Sequence, residues 1–162
     1  MLINQQAATF DKKFGKKLKI AIVRANYHEH FVDNLEAYAK GTLVTAGVAE
    51  KNITTFNVPG SWEIPILVQK IAESKKAKYD GIIVLGVIVK GATFHFELIA
   101  NEVTSALMSL SIENHIPIAF EILAVSDVKH AEERAGQNEY NKGIEAANAV
   151  LQTILALQKI KK

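Results

Sequence analysis

Ile82-Ile83-Val84-Leu85-Gly86-Val87-Ile88-Val89 is the longest apolar run in the chain. It shows no alternation of apolar and polar residues, so a strand here must be covered on both faces, as in a parallel sheet. It is also far short of the ~20 residues that a membrane-spanning helix requires. Three further runs of the same kind flank it: Ile20-Ala21-Ile22-Val23, residues 53–58, and residues 116–125. Between them the apolar residues recur at helical spacing. Phe31, Leu35 and Tyr38 mark one such stretch, and Ile64, Val68 and Ile71 a second. Ile99, Val103 and Leu107 mark a third, and Ile144, Ala147, Leu151 and Ile154 a last. Asp127 is placed to cap a short helix reaching Arg134. Strands alternating with helices predict an α/β fold, a three-layer α/β/α sandwich around a four-stranded parallel sheet. No internal repeat, linker or low-complexity segment interrupts residues 1–162, which read as one domain.

Composition narrows the function. Hydrophobic residues make up 49% and charged residues 22%, an ordinary globular balance. A net charge of +2 gives no electrostatic footprint for nucleic acid. Lys12, Lys13, Lys16 and Lys17 read as a solvated run near the start. There is no cysteine, which excludes disulfides, thiolate metal sites and cysteine nucleophiles. Met1-Leu2-Ile3-Asn4-Gln5-Gln6 lacks the basic-then-apolar layout of a signal peptide. A soluble, cytoplasmic protein is expected, with neither membrane nor nucleic acid among its partners.

In an open parallel sheet, ligands bind beyond the carboxyl ends of the strands. Segments 24–30, 59–63, 87–95 and 124 onward are therefore the ones to inspect. No dinucleotide fingerprint, phosphate-binding Walker loop or nucleophile elbow occurs in them. His28-Glu29-His30 has the wrong spacing for a helical zinc pair, and His95-Phe96-Glu97 lacks the cysteines of a zinc deaminase. No metal site is expected.

What remains is a set of polar and aromatic residues at strand ends. Tyr27, just past the first strand, is either a lid over the core or a platform for a flat heteroaromatic ring. In Val58-Pro59-Gly60-Ser61-Trp62-Glu63-Ile64-Pro65, Gly60 permits a tight turn and Ser61 is a candidate helix N-cap. Glu63 either complements the helix dipole or accepts hydrogen bonds from ligand hydroxyls. After the third strand, Lys90-Gly91-Ala92-Thr93 leads into a helix and can cradle an anion with backbone N–H groups and a hydroxyl. His95, at the start of that helix, is either structural or a neutral base. Arg134, among acidic neighbours, is either a surface ion pair or a phosphate ligand.

Together these segments resemble the lumazine synthase family from Lys17 onward. The stretch 58–65 is similar to that family's second-strand motif. Residues 86–96, Gly86-Val87-Ile88-Val89-Lys90-Gly91-Ala92-Thr93-Phe94-His95-Phe96, resemble its third, with lysine where arginine is usual. Glu133-Arg134-Ala135-Gly136 and Asn141-Lys142-Gly143 complete the set. The resemblance implies a flavodoxin-like fold and a condensation of 5-amino-6-(D-ribitylamino)uracil with 3,4-dihydroxy-2-butanone 4-phosphate in riboflavin biosynthesis, with no cofactor. It implies that Tyr27 stacks on the pyrimidinedione and that Ser61, Trp62 and Glu63 hold the uracil and ribityl chain. Val87, Ile88 and Val89 then read the ring through their backbone, Ala92 and Thr93 contact the sugar phosphate, and His95 transfers protons. Phe120 completes a neighbouring subunit's site, and Arg134 binds phosphate.

The same resemblance implies a homo-oligomer built from pentamers, with riboflavin synthase as a candidate partner. The short connection from 134 to 141 is similar to that of members whose pentamers form icosahedral shells. Tyr27-His28 is instead similar to decameric members. Residues before Leu18 are expected to have few partners within their own chain, with Thr9 and Phe10 adding a strand to a neighbour's sheet. Two sequence departures stand out: Asn26-Tyr27-His28 for the usual Arg-(aromatic)-Asn, and residues 120–125 without the usual hydroxyls. The rival readings are a non-catalytic flavin or lumazine binder, which has no need of His95 or Arg134, and a purely shell-forming homologue.

Overall fold

The structure is a computed structural model describing residues 10–160. Its centre is a four-stranded parallel sheet in the order β2-β1-β3-β4, made of β1 (Ile20–Ala25), β2 (Ile53–Val58), β3 (Gly81–Val89) and β4 (Ile118–Val125). Register brings Ile20 beside Ile53 and Gly81, and Val84 beside Phe120. The apolar runs form strands because each face has a layer to bury against. Ile22, Ile83 and Leu85 join one core with Leu35, Leu43, Leu151 and Ile154. Val23, Ile82 and Val84 join the other with Val68, Val103 and Leu107. The first core is closed by α2 (Glu29–Thr45), α5 (Val128–Ala135) and α6 (Lys142–Ile160). The second is closed by α3 (Ile64–Ala72) and α4 (His95–Glu113). This is the three-layer, flavodoxin-like arrangement.

Local details differ from expectation in four places. The first strand runs on to Ala25, and the fourth begins at Ile118 rather than Ile116. On α2 the stripe facing the core is Phe31, Val32, Leu35, Ala39 and Leu43, so Tyr38 sits at its edge, half-buried. The segment before Leu18 also has more internal partners than expected. A short helix, α1 (Lys12–Gly15), forms there with Asp11 accepting from the Lys13 N–H. Phe10 stacks on Phe14 at 6.2 Å, and both pack against the first core. Gly15 is buried against the backbone of Ala46 and Gly47. Phe10 is thereby engaged by its own chain, while Thr9 lies outside the described residues. Asp127 caps α5 by accepting from the Lys129 N–H at 2.9 Å. Among the described residues, no helix is long and apolar enough to cross a membrane.

Candidate functional site

The carboxyl ends of β1, β2 and β3 open into a cavity of about 560 Å³. The ladder between β1 and β2 continues past the strand ends, with Asn26 N–H donating to Val58 C=O and Tyr27 N–H to Pro59 C=O. These bonds set Tyr27 beside the turn that follows β2. Tyr27 and Trp62 are 68% and 57% exposed, large aromatic surfaces at the cavity wall. His28 adjoins them and meets the Tyr27 ring edge-on at 4.9 Å. Its backbone is left-handed (φ 57°), a conformation uncommon outside glycine, and it forms the N-cap of α2. Burial, and then the neighbouring His30, hold the His28 imidazole below its usual range.

The turn after β2 is built differently from expectation. Gly60, not Ser61, occupies the N-cap of a 3-10 turn over Ser61–Glu63, and α3 follows from Ile64. The Glu63 carboxylate folds back to accept from the Gly60 N–H at 3.0 Å. Ser61 is buried and packs against β3 at Gly86, where a Cβ would stand 2.7 Å from the Ser61 Oγ. The glycine in β3 is thus the residue that lets the β2 turn approach the sheet. Sequence reading passed over it, although a glycine inside an apolar strand is itself a signal of close approach.

On β3, Val87 is buried and Ile88 and Val89 are half-buried, and all line the cavity. Gly91, Thr93 and His95 line it too, with Ala92 exposed between the first two. His95 is the first residue of α4, whose N-cap Phe94 makes no side-chain capping bond. The N-cap side chain therefore takes none of the first amides of α4, although the Glu97 carboxylate accepts from its own N–H. Lys90 lies outside the lining; its ammonium pairs with Glu97 at 2.7 Å. The bond from Lys90 holds the Glu97 carboxyl below the usual carboxylate range.

Not every expected residue is at this cavity. Phe120 is on β4, 41% exposed and outside the lining. Arg134, on α5, is bonded to the His130 C=O and the Glu133 carboxylate of its own chain, away from the cavity. Arg24 turns from it as well, buried against α2 with Asp33 at 2.5 Å and Glu36 at 2.8 Å. Gly60 of the turn and Gly91 of the expected anion cradle complete the lining, with His28, Phe96 and Ile99, which were not singled out as site residues. A smaller cleft of about 320 Å³ lies at the opposite ends of the strands, beside Asp80 and Pro117, and contains none of the expected residues. The cavity at the carboxyl ends of the strands is the better candidate, because that is where ligands bind in an open parallel sheet. Among the described residues, no three of His, Asp and Glu are grouped to hold a metal ion.

Known proteins resemble the chain along most of its length. The sequence pattern of the 6,7-dimethyl-8-ribityllumazine synthase family matches residues 17–158. A 6,7-dimethyl-8-ribityllumazine synthase of Nitratidesulfovibrio vulgaris strain Miyazaki F is 37% identical over 153 residues, covering 94% of this chain and 97% of that one. Its counterpart in strain Hildenborough is 39% identical over 146 residues, 90% of this chain and 92% of its own. The protein of the same name in Desulfovibrio desulfuricans is 35% identical, with the same coverage.

Proposed function

Because the chain belongs to the 6,7-dimethyl-8-ribityllumazine synthase family, we propose that the cavity beyond β1, β2 and β3 is where it condenses 5-amino-6-(D-ribitylamino)uracil with 3,4-dihydroxy-2-butanone 4-phosphate. The observation that carries this site assignment is the convergence of an aromatic wall, a carboxylate, a strand end and an N-terminal helix turn on one cavity. Tyr27 supplies a face for the pyrimidinedione. Ser61, Trp62 and Glu63 flank the uracil and ribityl chain. Glu63 spends one oxygen on Gly60, and a carboxylate can still accept a ribityl hydroxyl at the other. The backbone of Val87, Ile88 and Val89 reads the ring edge. Ala92, Thr93 and the first amides of α4 receive the phosphate.

The uracil amine attacks the ketone, and loss of water gives an imine. Phosphate then leaves by elimination, and ring closure releases a second water. These steps ask for positioning and proton transfer rather than a strong nucleophile. His95, on the cavity wall, is the group assigned to carry the protons. Mixing the purified protein with both substrates and following lumazine absorbance and fluorescence tests the activity directly. No product would overturn it.

Phe120 and Arg134 take their roles across a subunit boundary, each reaching a neighbouring copy's cavity. The exposed apolar surface of α4 supports an assembly: Leu98, Met108 and Ile112 are each at least 60% exposed. A cyclic pentamer closes such heterologous contacts by rotation, and the short connection from 134 to 141 favours pentamers joined into an icosahedral shell. The absence of cysteine suits a cytoplasmic setting. Riboflavin synthase, which consumes the product, is the partner class to test by co-sedimentation. Light scattering on the purified protein decides the assembly: an active monomer refutes the shared site, and a pentamer or decamer refutes only the shell.

A further inference from the structure

Little holds the loop between β3 and α4. Gly91, Ala92, Thr93, Phe94 and His95 are all exposed. Nothing lies within 4 Å of where a Cβ on Gly91 would sit. Backbone bonds secure only its two ends, Lys90 N–H to Val125 C=O at 2.9 Å and Leu98 N–H to Phe94 C=O at 3.2 Å. Among the described residues, the side-chain tie across the span is the Lys90–Glu97 ion pair at 2.7 Å. The second Glu97 oxygen, Oε2, has no hydrogen-bond partner among the described residues, while the side chain as a whole stays one-third exposed. Neither residue lines the cavity.

We propose that the Lys90–Glu97 pair is a clasp that sets where Thr93 and His95 stand, making both residues positioning residues for the sugar-phosphate half of the reaction. The proposal rests on the roles given to Thr93 and His95 above. Half-exposed ion pairs add little to global stability. Geometry is another matter, since a displacement of ~1 Å at a reacting group can cost ~10²-fold in rate. The rival role for Lys90 is direct phosphate binding, and the two make opposite forecasts. Releasing Lys90 from Glu97 would help a phosphate ligand and would harm a clasp.

The test compares Glu97→Gln, Lys90→Ala, Lys90→Arg and the charge-swapped Lys90→Glu/Glu97→Lys in steady-state kinetics with each substrate varied. Glu97→Gln and Lys90→Ala are expected to lose about tenfold or more in kcat/KM for the sugar phosphate. KM for the uracil and the melting temperature should stay close to wild type. Lys90→Arg and the charge swap should recover most of the loss. Wild-type or improved kcat/KM in Glu97→Gln overturns the clasp, as does a charge swap no better than the worse single variant. Circular dichroism checks each fold; if Glu97→Gln loses structure, Lys90→Arg and the charge swap decide. Wild-type protein that forms no lumazine sinks the functional reading itself, whereas active wild type with indifferent variants sinks only the clasp.

Discussion

Gly86→Ala probes how the turn after β2 is fitted to the sheet. An added Cβ would stand 2.7 Å from Ser61 Oγ, and 3.4 and 3.5 Å from the Cγ2 and Cγ1 of Ile122. The Ile122 distances are ordinary contacts, so nearly all the cost comes from Ser61. That residue is 7% exposed, and its Oγ must leave its place against the sheet for the Cβ to fit. Overpacking of this kind costs ~1–3 kcal/mol. For a chain of this size each kcal/mol is worth ~2–4 °C, so the melting temperature should fall by roughly 2–12 °C. Ser61 also borders the cavity, so KM for the ribitylaminouracil should rise more than KM for the sugar phosphate. Thermal melts at one fixed protein concentration and steady-state kinetics read both effects. Ser61→Ala removes the clashing oxygen, and the double variant should regain most of the lost stability, a non-additive result. A Gly86→Ala protein that melts like wild type refutes the reasoning. So does a loss that Ser61→Ala fails to relieve.

Other perturbations reach other parts of the molecule. His95→Ala should lower kcat by ~10²–10⁴ while uracil binding and fold survive, and near-wild-type turnover would remove His95 from proton transfer. Arg134→Ala should raise KM for the sugar phosphate far more than KM for the uracil, because only one substrate carries a phosphate for its fork of donors. Equal effects would make Arg134 a structural residue. Glu121, on the face of β4 beneath α6, is pushed from 4.5 up to about 8 by burial and then by Glu145, with Lys142 opposing. A carboxyl raised on folding favours the fold below its unfolded value and loses that contribution as pH rises through its folded one. Stability should therefore decline between pH 4.5 and about 8, and Glu121→Gln should flatten the decline and melt higher than wild type on the alkaline side. Parallel melting curves across that range would show the reasoning to be wrong.

Much of the fold was legible because its signals are local. Residues 82–89 carry apolar side chains on both faces, which suits a strand covered by two layers, and the structure divides them alternately between its two cores. Asp127 announced its helix because a cap is satisfied within a few residues. Tyr27, Glu63, Val87 and His95 were legible as candidates because parallel topology sends strand ends to one side, and they do meet at one cavity. Hydrophobic spacing was less exact at the margins of a stripe, as with Tyr38, where half-burial and full burial look alike in sequence.

Contacts between elements far apart in the chain were decided only by the tertiary structure. The apolar segments and their periods determined which faces are buried, since each residue's direction along a strand or helix follows from local geometry. Which side chain meets which across the layers depends on register and closure. Ser61 against Gly86, Arg24 turned toward α2, Phe10 and Phe14 laid on the first core, and Glu121 sunk beneath α6 all belong to that second kind. Phe120 and Arg134 mark its limit, because one folded chain leaves them outside its own cavity. Burial pattern is a property of a segment, whereas a site is a property of several segments brought to the same place.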